Sequence, residues 1–444
     1  MLSFTTSSLI FFTNEALERV SAAGTISPQV WFSQKSTQVL HMQVWFRRLG
    51  LGVLTIVVWW SVTIAPAQAF TENQRLLNEV WRIIDRAYVD ASFNHQNWWA
   101  IREKYLKKDM PTREGTYQLV REMLGLLGDP FTRIMPPEQY RSLQTSTSGE
   151  LTGVGLQIAE DSVEKVLKVI APIAGSPAEK AGIQPGDRIL EIDGKSTQGF
   201  SLDEAAARMR GTIGSLVVLT VSHDGQPQKE YDLVRDRIEL NPVTTELRTT
   251  DHHRVGYIRL TQFNANASSE VASAILKLEK QKADSYILDL RNNPGGLLQA
   301  GIDIAKLWIQ DGTIVYTVNR QGALGTYEAT ESALTSDPLV VLVNPGTASA
   351  SEILAGALQD NGRAKLIGEK TFGKGLIQSL FDLSDGSGLA VTVARYETPN
   401  HHDINKLGIT PDEVVPPGEL TPQQVGKTGD AQYEAAIAAI EAQG

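Results

Sequence analysis

The chain has 444 residues, a formal net charge of −10, 42% hydrophobic and 21% charged residues, and no cysteine. That length predicts two or three domains, and the acidic balance argues against nucleic acid as a main partner. The missing cysteine excludes a thiol nucleophile, disulfides and thiolate-ligated zinc, but it leaves the compartment open, because an oxidising space permits disulfides without requiring them.

Residues 1–69 read as an N-terminal extension and export signal. Arg47-Arg48 precedes a nearly all-apolar run over 49–64, and Ala65-Pro66-Ala67-Gln68-Ala69 follows. A charged stretch, an apolar stretch and an Ala-x-Ala ending form a secretory signal, with cleavage expected after Ala69. The alternative is an uncleaved anchor, for which the run is short, a span needing about 20 residues. A start at Met42 would give a signal of ordinary length.

Residues 70–145 read as a helical N-terminal domain. Leu76, Leu77, Val80, Trp81, Ile84 and Tyr88 recur at helical spacing. A second helix over 113–127 stops at Gly128-Asp129-Pro130. Trp98 and Trp99 are expected in the core, and the polar stretch 144–149 as a linker.

Residues 146–235 switch to short β runs at 155–158, 166–170, 188–192 and 217–222, with helices at 176–181 and 201–210. Two runs here resemble a PDZ domain. Leu151-Thr152-Gly153-Val154-Gly155-Leu156 is similar to its carboxylate-binding loop. The run from Gly175-Ser176-Pro177-Ala178 through Gly186-Asp187-Arg188-Ile189-Leu190 is similar to its long internal motif. Such modules add a peptide as a strand to a sheet edge and capture its terminal carboxylate on backbone N–H groups. The resemblance makes Gly153, Val154, Gly155 and Leu156 the peptide-binding residues.

Residues 236–444 alternate apolar strands (255–260, 286–290, 314–318, 339–343, 364–367) with helices (268–282, 297–309, 350–358). That alternation predicts a layered α/β core with its reactive loops at strand ends. The stretch 432–442 reads as an alanine-rich surface helix. The fold class is therefore multidomain α/β: a helical N-terminal region, a β-rich PDZ module with two helices, and a layered core.

Two loops of this core carry chemistry. Asn344-Pro345-Gly346-Thr347-Ala348-Ser349-Ala350-Ser351-Glu352 offers hydroxyls at a strand-to-helix turn. Lys374, between Gly373 and Gly375, follows, and then Gln378. A serine hydroxyl needs a base to become a nucleophile, and a neutral lysine can serve. An unperturbed lysine is neutral in only roughly one molecule in 2,500 at pH 7, so burial must lower its pKa by about 3 units. Phe372, Leu376 and Ile377 supply apolar surroundings. The second loop, Arg291-Asn292-Asn293-Pro294-Gly295-Gly296, lies between strand and helix, where adjacent glycines leave N–H groups free for an oxyanion hole.

Competing arrangements exist. Gly368-Glu369-Lys370-Thr371-Phe372-Gly373-Lys374 has P-loop spacing, but Gly375 replaces the metal-binding hydroxyl and a strand-like run follows. His252-His253 and His401-His402-Asp403 are adjacent pairs that do not chelate easily alone. A triad of Ser349 with His401 or His402 and Asp403 is compatible with the sequence. Glu352 is expected to cap the helix after Ser349 or to contact Lys374.

Taken together, these motifs resemble the carboxyl-terminal processing, or tail-specific, proteases over essentially everything after Phe70. The resemblance implies Ser349 as nucleophile, Lys374 as general base and Gln378 as its positioning partner. It implies oxyanion donors at Ala350 and at Gly295 or Gly296. It implies no metal, cofactor or nucleotide, and a protein substrate with a free C-terminus. Asn400-His401-His402-Asp403-Ile404-Asn405 and Gly408-Ile409-Thr410-Pro411-Asp412 resemble the photosynthetic branch. That branch trims a membrane-bound photosystem II reaction-centre subunit precursor in the thylakoid lumen or periplasm. Two other readings are a broad tail-specific degrading protease of the periplasm and a catalytically inactive PDZ scaffold that binds peptides.

Overall fold

The computed structural model describes residues 70–442 apart from 162–165, 224–225, 251, 323, 419–420 and 422–423. The expected export signal lies outside the described residues.

Helix α1 (Glu72–Ala87) starts at a capping box, with Thr71 and Gln74 each accepting the other's backbone N–H. Its apolar stripe, Leu76, Leu77, Val80, Trp81 and Ile84, is buried with residues of α2 (Trp98–Leu106) and α3 (Arg113–Gly125). Trp98 is buried as expected, but Trp99 is 62% exposed, its ring meeting that of Trp81 in a T-shaped contact. Consecutive helical residues point about 100° apart, so one of a tryptophan pair must leave the core.

Strand β1 (Arg133–Met135) leads into α4 (Pro137–Ser148). The expected linker at 144–149 is therefore the end of a helix. Ser146, Thr147 and Ser148 turn their hydroxyls back onto carbonyls of the preceding turn, so they do not compete with the helix for its N–H groups. Gly149, at φ 69°, ends it in the left-handed conformation.

A two-stranded neck of β2 (Glu150–Gly153) and β9 (Asp236–Glu239) brackets the β-rich module. Within it lie β3 (Leu156–Glu160), β4 (Leu167–Pro172), α5 (Pro177–Lys180), β5 (Arg188–Ile192), β6 (Lys195–Ser196), α6 (Leu202–Met209), β7 (Leu216–Ser222) and β8 (Lys229–Val234). The sheet order is β3-β4-β5-β7-β8, with β6 on β5. Strand β3 thus stands at an edge, with α6 packed beside it.

The core sheet runs β10 (Val243–Thr249), β11 (Arg254–Leu260), β12 (Ser285–Asp289), β15 (Leu339–Val343), β16 (Lys365–Gly368) and β19 (Glu413–Val414). All pairs but β10–β11 are parallel. Alternate residues serve opposite faces. Ile258, Leu260, Leu288, Val341 and Val343 pack against α7 (Ala267–Lys280), α8 (Leu298–Lys306) and α9 (Ala350–Asp360). Val255, Tyr257, Ile287, Val340 and Leu342 pack against α10 (Ala431–Glu441). The C-terminal helix, expected on the surface, is therefore the second cover of a doubly covered sheet. Its Tyr433, Ala436 and Ile440 are buried, the small alanines permitting close approach to the strands.

A further sheet holds β13 (Thr313–Asn319), β14 (Leu324–Glu328), β17 (Leu376–Asp382) and β18 (Gly388–Glu397). Strand β1 joins it through Arg133↔Ala390, Ile134↔Leu389 and Met135↔Gly388. Leu383, Leu389 and Val391 enter the core of the N-terminal helices. The helical region is thus hydrogen-bonded and packed onto the sheet that carries Gln378.

Candidate active site

Ser349 is the N-cap of α9, in the turn from β15, with φ 63° and ψ −121°. A serine at positive φ is a strained backbone, of the kind that gathers at functional sites. It turns the side chain away from the usual capping position. Ser349 Oγ is buried and makes no hydrogen bond among the described residues. Lys374 Nζ and Gln378 Oε1 are in the same state, and all three residues are fully buried.

One carboxylate ties the serine and lysine backbones together. Glu352 Oε2 accepts from Ser349 N at 2.8 Å and from Lys374 N at 2.9 Å. Its Oε1 accepts from Thr371 Oγ1 at 2.6 Å and Gly373 N at 2.7 Å. Burial pushes the Glu352 carboxyl up, against the pull of those four bonds. Both expectations for Glu352 hold in part: it caps Ser349, and it contacts Lys374 at the backbone rather than at Nζ. From the opposite side, Tyr396 Oη donates to the carbonyls of Ser349 and Lys374.

The Lys374 side chain lies against the ring of Phe131, whose centroid is 4.7 Å from Nζ. Phe372, expected to help bury the lysine, is 59% exposed. Its N–H donates to the carbonyl of Thr347, and its side chain leaves the site. The apolar cover comes instead from the N-terminal region. Burial lowers the Lys374 pKa from 10.5 to about 7; the Arg133 charge adds to this, while Asp129 and Glu352 oppose it.

Gln378 sits on β17 and donates Nε2–H to Thr392 Oγ1 at 3.2 Å. Thr392 donates in turn to Asp129 Oδ2 at 2.7 Å, which also accepts from Thr132 Oγ1. Gln378 Oε1 is left as an acceptor with no donor. Sequence reasoning missed Phe131, Thr392, Tyr396 and Arg133. Of this segment only Gly128-Asp129-Pro130 was read, as a helix stop, and nothing marked Phe131 or Arg133.

The glycine loop is laced to the serine loop. Asn293 O accepts from Ala348 N and Ser351 Oγ, and Thr347 Oγ1 donates to Leu290 O. Arg291 is held in a buried network with Asp289, Asp430 and Gln432, which anchors the loop to the C-terminal segment. A Cβ on Gly295 would lie 2.6 Å from Ala348 O and 2.9 Å from Ala350 N. The loop backbone therefore runs directly beside the start of α9. There, Ser351, Glu352 and Ile353 N–H groups all have acceptors, and Ala350, the first helical residue, has none within its helix. Gly295 donates its own N–H to Asn293 Oδ1 at 2.9 Å. Of the two glycines considered as donors, Gly295 is thus already committed.

The other expectations fall out of this geometry. His401 is exposed, stacks on Tyr316 at 4.2 Å and faces Glu397 at 3.0 Å, and His402 is also exposed. Neither bonds to Ser349 Oγ, so the histidine triad is not assembled. The loop with P-loop spacing continues into a strand, and its Gly373 and Lys374 amides are given to Glu352. In the PDZ-like loop, Gly153 ends β2, Leu156 opens β3, and Gly155 bridges them at φ 79°. The carbonyls of Val154 and Gly155 accept from Ala178 N and Ile173 N, fixing the loop at the start of β3.

Comparison with known proteins agrees with this architecture. Peptidase family S41 matches residues 254–415, a span that includes Ser349, Lys374 and Gln378. A PDZ domain matches 168–222 and the Tricorn protease C1 domain matches 70–125. Together they describe a serine peptidase carrying a PDZ module. A carboxyl-terminal-processing protease from Picosynechococcus sp. is 61% identical over 372 residues, covering 84% of this chain and 90% of its own. Carboxyl-terminal-processing peptidase 2 of Arabidopsis thaliana, a chloroplastic protein, is 47% identical, covering 79% and 70%. The solved photosystem II D1 C-terminal processing protease is 44% identical, covers 78% of this chain and 94% of its own, and superposes with a TM-score of 0.52. The chain belongs to the carboxyl-terminal-processing proteases.

Proposed function

We propose that this protease cuts through Ser349 as nucleophile and Lys374 as general base, and that its substrate is the precursor of photosystem II subunit D1. The observation that carries the first part is a buried hydroxyl and a buried amine, both without hydrogen bonds, on backbones that share one Glu352 oxygen. Two potential partners left unsatisfied in a packed interior are costly, and such groups are kept where chemistry uses them. The substrate reading rests on the photosystem II D1 protease at 44% identity over most of both chains.

In this mechanism the substrate's C-terminus adds along β3, its carboxylate at Gly153, Val154, Gly155 and Leu156. Ser349 Oγ attacks the scissile carbonyl as Lys374 Nζ takes its proton. Gln378 Oε1 accepts from the resulting ammonium. The oxyanion meets the N–H of Ala350 and that of Gly296, since Gly295 N–H is occupied; one such donor is worth about 2.7–4 kcal/mol. Lys374 then protonates the leaving amine, and water releases the acyl group. Ser349 is fully buried, so substrate entry requires the site to open. Export after Ala69 would place the enzyme in the thylakoid lumen or periplasm. Among the described residues, no helix is long and apolar enough to cross a membrane.

The test is mass spectrometry of reaction-centre membranes incubated with the wild type or with Ser349→Ala. Wild type should trim the D1 C-terminus and the variant should leave it extended. Equal trimming by both would remove Ser349 from the mechanism. Cleavage of peptides but not of D1 would leave the chemistry and discard the substrate.

A further inference from the structure

We infer that Arg133 is a positioning residue that keeps Lys374 in its neutral, proton-accepting form. This inference rests on Lys374 being the general base.

Arg133 follows by two residues Phe131, whose ring centroid lies 4.7 Å from Lys374 Nζ, and it opens β1 opposite Ala390 on β18, which also pairs with the strand of Gln378. Its Nη1 is buried and has no hydrogen-bond partner among the described residues. The obvious counter-ion, Asp129, is used elsewhere, accepting from Thr132 Oγ1, Thr392 Oγ1 and Phe131 N. No ion pair involving Arg133 is formed among the described residues. Asp129 supports the Arg133 charge at a distance, but a buried Nη1 without an acceptor is unfavourable as a structural element. Its placement therefore calls for another explanation.

That explanation is the second cation. Two positive charges in one poorly solvated region repel, and the repulsion ends when one of them loses its proton. Arginine does not give up its proton in proteins, so the lysine must. The groups facing Lys374 are Phe131, Asp129 and Arg133 from the segment at β1, Glu352 from α9 and Tyr396 from β18. Asp129 and Glu352 draw a proton toward Lys374, but their oxygens are turned to hydroxyl and backbone donors. Among the described residues, Arg133 is the one neighbouring charge that expels the proton. Burial lowers its own pKa, opposed by Asp129, but an arginine keeps its proton in proteins.

The experiment measures kcat/KM from pH 5 to 10 on a peptide ending in a free carboxylate, using wild type, Arg133→Met, Arg133→Lys and Ser349→Ala. In Arg133→Met the proton should bind Lys374 more readily, moving the acid limb to higher pH by about one unit, with activity regained at alkaline pH. Arg133→Lys keeps the charge and should keep the limb near the wild-type position. Because the guanidinium has no acceptor to lose, Arg133→Met should melt at or above the wild-type temperature. An unmoved acid limb in Arg133→Met would overturn the inference. So would a variant that melts far below wild type or fails to fold, which would make Arg133 a structural prop. Residual turnover in Ser349→Ala would instead indict the Ser/Lys reading, leaving the two failures distinguishable.

Discussion

Replacing Lys374 with methionine is expected to abolish turnover and to make the protein more stable. The lysine is fully buried and its Nζ makes no hydrogen bond, so methionine forfeits no partner. Its pKa falls from 10.5 to about 7 on folding. Between those two pH values the unfolded chain holds a proton that the folded chain has released. Stability therefore rises with pH across that window and is lowest below it. At pH 7 the burden on the folded state is about 4 kcal/mol, taking 1.36 kcal/mol per unit and allowing for a half-titrated group. Urea denaturation of wild type and Lys374→Met at pH 7, 8.5 and 10 reads this directly. The variant should be more stable by up to that amount at pH 7, and the gap should close toward pH 10. In parallel, wild-type kcat/KM should fall about tenfold per unit below pH 7 as Lys374 gains its proton. A variant no more stable than wild type at pH 7, or a gap indifferent to pH, would refute the claim that burial makes this lysine a base.

Gly295→Ala should lower kcat by about 100-fold or more while leaving peptide affinity near wild type, because the new methyl would crowd Ala350 N at 2.9 Å; steady-state kinetics within threefold of wild type would contradict the placement of the oxyanion site. Glu352→Gln replaces an acceptor of four hydrogen bonds with a group that is half donor. It should cost about 2–3 kcal/mol in urea denaturation and most of the activity. Amidating the peptide C-terminus should reduce kcat/KM by about 10- to 100-fold, the worth of charge-assisted hydrogen bonds to a carboxylate. Equal cleavage of the two peptides would detach the Gly153–Leu156 loop from recognition.

What the sequence displayed was whatever has a local cause. Strand β15, buried on both faces, reads as an unbroken apolar run and β12 as the apolar triplet Tyr286-Ile287-Leu288, and the turns after them carry glycine or small polar residues for equally local reasons. Ser349, Lys374 and Gln378 were visible because each sits in such a turn or just beyond it. The strand at 314–318 and the strand-like run after Gly375 were visible, but their assembly into a second sheet, apart from the parallel core, was not. Strand β1 has three residues and finds its partner more than 250 positions away, a pairing no local pattern encodes. Apart from Gln378, what that sheet and the segment leading into β1 bring to the site was hidden with the pairing, namely Phe131, Arg133, Thr392 and Tyr396. Phe372 shows the converse error. An apolar neighbour in sequence was taken for an apolar neighbour in space, while its N–H bond to Thr347 accompanies a side chain facing solvent.

Glu352 exposes the central difficulty of a lysine base. A buried loop must satisfy the N–H groups of Gly373 and Lys374, and a carboxylate is the strongest acceptor available. Yet a carboxylate near Nζ favours the ammonium and would spoil the base. The fold separates the two effects by direction. All four bonds of Glu352 go to backbone N–H groups and a threonine hydroxyl, and none to Nζ. The amine is left facing an aromatic ring and the influence of a cation, both from the segment that leads into β1 and is docked on the second sheet. Positioning and proton affinity are thus set by different parts of the chain. Loss of the N-terminal contacts should therefore disarm the lysine without moving the serine.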